Sequence, residues 1–111
     1  MAGDTLNNIR RRLARLVAGR GGFDGTVLID LGRDGALLVD QYHVSEYDRR
    51  KLARTSVSIE LTDLDQFLGG QLNAQMLLMT RRLTIAGRMA DALRFARHLE
   101  LSIHGRSALP A

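Results

Sequence analysis

Between Ser56 and Leu99 the chain reads SVSIELTDLDQFLGGQLNAQMLLMTRRLTIAGRMADALRFARHL, and the changes of hydrophobic period inside this stretch decide the fold. Val57, Ile59 and Leu61 alternate with Ser58 and Glu60, the period of two that marks a strand with one solvated face. Thr62 and Asp65 then form a capping-box pattern, opening a short helix that carries Leu64, Phe67 and Leu68 and stops at Gly69-Gly70. Asn73 is placed to cap a second short helix on which Leu72, Gln75, Met76 and Met79 share a face. Leu83 and Ile85 define a further strand before Gly87. From about Arg88 to Leu99 the residues Met89, Ala92, Leu93, Ala96 and Leu99 recur at helical spacing as a broad apolar stripe.

Upstream, Thr26–Leu31 and Ala36–Gln41 flank Gly32-Arg33-Asp34-Gly35, a turn sequence whose Asp-Gly pair tolerates positive φ, so the two runs predict an antiparallel hairpin. Both strands are apolar on one face (Val27, Ile29, Leu31; Leu37, Val39) and partly so on the other (Leu28, Ala36, Leu38), which predicts cover on both sides of the sheet. Before the hairpin, Asp4 or Thr5 can cap a helix with Leu6, Ile9, Leu13, Leu16 and Val17 on one face and Arg10, Arg11, Arg12 and Arg15 elsewhere. Gly19, Gly21 and Gly22 end it, giving an amphipathic helix within residues 1–20. The polar stretch Tyr42–Thr55 reads as a loop or an irregular edge, and Leu101–Ala111 as an extension of the last helix, a brief strand or a flexible tail. The order helix, three strands, two short helices, strand, helix predicts an α+β domain with a mainly antiparallel sheet.

With 111 residues, 45% of them hydrophobic and 25% charged, the chain fits one domain over residues 1–111, and any ligand cavity has to share its single core. The absence of cysteine excludes disulfides and thiolate metal sites and fits a reducing cytoplasm. No run approaches the roughly 20 apolar residues of a membrane span, and the N-terminus lacks the apolar core of a signal peptide. The formal charge is +4, carried almost wholly by arginine since Lys51 is the only lysine; it permits weak, transient attraction to an anionic membrane surface or to nucleic acid. Aromatic content is 5%, with Phe23, Phe67 and Phe95 at core positions, so no specific nucleic-acid binding is expected.

Nothing in the chain supplies catalytic machinery. His43, His98 and His104 lie in different elements without metal-ligand spacing. No nucleophile elbow or Walker loop is present, and Gly19-Arg20-Gly21-Gly22 precedes a strand where phosphate loops precede a helix. Asp63 and Asp65 sit at a helix start, where acids complement the macrodipole and the caps. No catalytic residue, metal ligand or cofactor is expected.

The joint pattern of residues 56–99, together with GTVLIDLGRDGALLVD upstream, resembles the sterol carrier protein type 2 (sterol transfer) family. The resemblance runs over the strand, the acidic helix with Phe67, Gly70, Leu72-Asn73-x-Gln75, the methionine-rich turn, Leu83-x-Ile85-x-Gly87 and the small-residue helix. It implies a five-stranded sheet covered by helices around an apolar tunnel, holding a fatty acyl chain, a sterol or a similar lipid without covalent chemistry. The fifth strand would come from Tyr42–Thr55 or from Leu101–His104. By the same resemblance Gln75 faces the tunnel, and the lining is expected from Leu64, Phe67, Leu68, Leu72, Gln75, Met76, Met79, Leu83, Ile85, Met89 and Leu93. Ala74 replaces the family's usual proline, Thr80-Arg81-Arg82 stands where a glycine-bearing turn is common, and Leu109-Pro110-Ala111 lacks a peroxisomal address. A bacterial, free-standing version of the domain is therefore expected. Two other readings carry different predictions: an accessory interaction domain docking through Arg10–Arg15 or Arg49–Arg54 on a protein partner whose identity is unknown, and an enzyme using Asp63 or His43.

Overall fold

Side-chain alternation in the strands sorts the whole molecule. In the computed structural model, which describes residues 2–19, 22–41, 43–47 and 54–105, five strands form one sheet in the order β3-β2-β1-β4-β5. They are β1 (Phe23–Asp30), β2 (Ala36–Gln41), β3 (His43–Glu46), β4 (Thr55–Ile59) and β5 (Leu83–Gly87). Register places Val27 opposite Val39, Ile29 opposite Leu37 and Val57, and Val39 opposite Val44. It also places Val57 opposite Ile85 and Ile59 opposite Leu83. One continuous apolar face results, because residues two apart in a strand share a side.

Four helices pack against that face: α1 (Ala2–Ala18), α2 (Leu61–Leu68), α3 (Ala74–Met79) and α4 (Met89–Gly105). Leu6, Ile9, Leu13 and Val17 of α1 and Ala92, Phe95 and Leu99 of α4 join the strand residues in a single buried cluster. Helix α1 lies over β2 and β3, α4 over β1, β4 and β5, and α3 beside β5. The helices thus cover one face rather than two, although Leu28 and Ala36 are also buried on the opposite side.

Several sequence-based expectations sharpen. The sheet is mixed, since β1 and β4 pair in parallel while the other three pairings are antiparallel. Parallel neighbours need a long crossover, and the β2–β3 extension of the hairpin supplies it before the chain returns to β1. The fifth strand comes from the 42–55 stretch, as β3, and α4 runs through Leu101 to Gly105 because Ile103 still packs on the core. The hairpin turn is a short 3-10 segment, Gly32–Asp34, with Gly32 N donating to Asp30 Oδ1 at 2.9 Å and positive φ at Gly32 and Gly35.

The capping box is not formed. Helix α2 already begins at Leu61, its N-cap Glu60 makes no side-chain cap, and Thr62, inside the helix, cannot serve as one. Asp65 instead pairs across the fold with Arg12 of α1. Asn73 does cap α3, its Oδ1 accepting from Met76 N at 2.8 Å.

Candidate functional site

Between the apolar face of the sheet and helices α2, α3 and α4 runs a seam whose walls are wholly apolar. Ile29, Val57 and Ile59 form its floor, Leu64 and Phe67 close one end, and Phe95 and Leu99 fill its depth. Helices α3 and α4 contribute the small residues Ala74, Ala92 and Ala96 to its walls beside the larger Leu78 and Leu93. The cavity left is about 40 Å³, room for little more than a water or two, and a polar guest would find no partner there. The tunnel implied by the resemblance is therefore reduced to a narrow apolar seam in this structure.

The seam is weakest toward one side. Ala74, Leu78, Leu93 and Ala96 also line an open groove of about 510 Å³ on the surface between α3 and α4, together with Gln75, Met79, Arg97 and Glu100. Met79 is 76% exposed, Met89 51% and Leu93 45%. Leu83 and Ile85 on the edge strand β5 are only half-buried. Large exposed apolar side chains that share one groove, as Met79 and Leu93 do, mark a contact site more often than scattered ones do.

Of the residues expected in the lining, Leu64, Phe67, Leu83, Ile85 and Leu93 border the seam. Gln75 and Met79 stand in the outer groove, Gln75 exposed to solvent. Leu68 is buried in the main core and Leu72 packs against it, Met76 is half-buried, and Met89 is exposed at the start of α4. Sequence reasoning missed the floor residues Ile29, Val57 and Ile59, and the alanines 74, 92 and 96. The floor carries no signal beyond ordinary strand alternation. The alanines were visible as a small-residue helix, but which face they present depends on tertiary packing.

The polar groups have other engagements. Asp63, 8% exposed, accepts a fork from Arg82, Nη2 to Oδ1 at 2.5 Å and Nε to Oδ2 at 3.3 Å. That hydrogen bond holds the Arg82 guanidinium above its ordinary pKa. The pair borders a separate open polar cleft with Asp30, Glu60 and Arg81. His98 Nε2 lies 3.0 Å from the Val17 carbonyl oxygen, and His43 is exposed on β3. Among the described residues no group of three or more His, Asp or Glu is placed to hold a metal, and no helix is long and apolar enough to cross a membrane. Of the arginine clusters, Arg12 is taken by Asp65 and Arg10 by Asn7, while Arg49, Arg50 and Lys51 lie outside the described residues.

Comparison with known proteins places this architecture. The sequence model of the SCP-2 sterol transfer family matches residues 7–100. No curated protein matches significantly. Among solved structures, sterol carrier protein 2 like 2 from Aedes aegypti superposes with a TM-score of 0.66 at 17% identity, covering 87% of this chain and 98% of that one. Sterol carrier protein 2 from Aedes aegypti, solved in complex with the C16 fatty acid palmitate, gives 0.62 at 12% identity over 88% and 93%. The apo form of sterol carrier protein 2 from Yarrowia lipolytica gives 0.56 at 19% over 91% and 82%. At these identities the structural likeness shows the fold alone.

Proposed function

The chain belongs to the SCP-2 sterol transfer family, and from that premise we propose that it binds and transfers a lipid-like molecule (a fatty acyl chain, a sterol or a similar guest) without covalent chemistry. The observation that carries the reading is that the apolar seam and the open groove lie on either side of the same residues, Ala74, Leu78, Leu93 and Ala96. A buried seam alone would be core, and an open groove alone would be surface; here the same four residues wall both, so a shift of those residues would join solvent to core. The palmitate complex of the Aedes aegypti relative supports an acyl chain as one guest.

The 40 Å³ of the seam is far below the roughly 300–1,000 Å³ of ligand pockets, so binding requires α4 to part from α3 and β5. The driving force suffices. At about 0.8 kcal/mol per buried methylene a sixteen-carbon tail gains on the order of 10 kcal/mol, and association, ordering and separation of the walls subtract several. Micromolar affinity remains within reach.

The proposed donor of the guest is an anionic membrane surface in the cytoplasm. Met79 and Leu93 are exposed in the groove and Met89 at the first residue of α4, with Arg88 just before that helix and Arg97 within it. Helix α1 cannot play that part, because its apolar face is already buried in the core. Co-sedimentation with phosphatidylglycerol vesicles, absent with phosphatidylcholine alone and lost in high salt, is the expected behaviour. The central experiment is lipid extraction and mass spectrometry of gently purified protein, with displacement of a bound fluorescent fatty acid. No co-purified lipid and no displacement would overturn the proposal.

A further inference from the structure

A greasy path explains the tail of a ligand but leaves its head undefined, and the groove contains the means to define it. Three polar side chains line it: Gln75, Arg97 and Glu100. Glu100 is half-buried and turned to α3, its Oε2 accepting from Ala74 N at 3.4 Å. Arg97 has no acidic partner among the described residues, whereas Arg12, Arg82 and Arg94 pair with Asp65, Asp63 and Asp91. Arg97 also follows directly on Ala96, which lines both seam and groove. Because Ala96, Arg97 and Gln75 all line the groove, a tail inserted past Ala96 leaves its head in the groove with Arg97 on α4 and Gln75 on α3.

Resting on the lipid reading above, we infer that Arg97, assisted by Gln75, selects guests whose head is an oxyanion, so that the preferred ligand is a single-tailed anionic amphiphile rather than a neutral lipid. The guanidinium is the side chain suited to this, since its planar fork meets carboxylate or phosphate oxygens two at a time and never titrates in the physiological range. Gln75 adds an amide donor without charge. Glu100, three residues beyond Arg97, repels the same head and limits the preference to a modest factor.

The test uses the full chain with Nile red, a neutral dye, displaced by hexadecanoate, hexadecyl phosphate and hexadecanol of equal tail length. In the wild type one or both anions should bind about five- to tenfold more tightly than the alcohol, a difference that narrows as salt is raised. Arg97→Gln should bring the ratio of anion to alcohol affinity to about one, and Arg97→Lys should keep part of the preference. The better of the two anions identifies carboxylate or phosphate as the head. Equal binding of anions and alcohol by the wild type, or a preference that survives Arg97→Gln, overturns the assignment of Arg97 while lipid binding stands. Failure of all three amphiphiles to displace the dye overturns both.

Discussion

Gly87 ends β5 at φ +92, opposite Thr55, and a Cβ there would overlap the carbonyl oxygen of Arg54, the residue just before β4. Both terms act against any other residue, since positive φ strains an L side chain and the clash is with backbone that cannot rotate aside. Gly87→Ala is expected to destabilise by about 3 kcal/mol or more, read as a lower urea midpoint. A cost under about 1 kcal/mol would show that β4 and β5 are free to separate at that end. Asn73 acts on a smaller scale: its side chain holds the first turn of a six-residue helix, and Asn73→Ala should cost about 1 kcal/mol by the same measurement. The Arg82–Asp63 pair contributes no pH dependence from its basic member near neutrality. A guanidinium whose pKa rises on folding stabilises at every pH below its ordinary value and loses that contribution only above it.

Among the elements, α4 decides whether the molecule can take a guest. Its inner face sets the small residues Ala92 and Ala96 beside the bulk of Phe95 and Leu99, all of them lining the seam. Ala96→Leu is expected to fill the shared wall of seam and groove, destabilising by about 1–3 kcal/mol while weakening fatty-acid displacement at least about tenfold. Equal displacement by the variant would mean that the guest enters elsewhere. The reading of elements from sequence succeeded where periodicity was long and one-sided, as in Val57-x-Ile59 and in the Leu6, Ile9, Leu13, Val17 stripe of α1, which lies entirely in the core. It was ambiguous at β3, where Val44 is the one buried residue of a four-residue edge strand and leaves no alternation to see. The parallel pairing of β1 with β4 was also hidden, because local pattern says how a strand is sided and not which way its neighbour runs. For the site, the leucines and methionines of residues 64–93 were legible as apolar. Which of them turn to the seam, which to the groove and which to the main core depends on how α3 and α4 are set on the sheet.

At the scale of the whole molecule, the radius of gyration is 13.1 Å, close to the roughly 13 Å of an ordinary solid domain of this length. Room for a guest therefore has to come from local opening. The place is predictable from burial: β1 and β2 are anchored by Val27, Leu37 and Val39, all inaccessible to solvent, whereas β5 is an edge strand with half-buried Leu83 and Ile85 and faces the α4 segment bearing exposed Met89 and Leu93. Segments with few buried apolar contacts open at a free energy well below that of global unfolding. Amides of residues 83–99 should accordingly exchange at least about tenfold faster than those of 27–39 in the free protein. A guest that fills the seam replaces the missing contacts, so saturating hexadecanoate should narrow that gap. At a hundred times its dissociation constant it should also stabilise the whole domain by about 2.7 kcal/mol. Exchange mass spectrometry with and without the fatty acid reads both effects: faster exchange confined to residues 83–99 and slowed by the ligand is expected. Uniform protection across the two regions in the free protein would place the opening elsewhere and remove α4 and β5 as the moving walls.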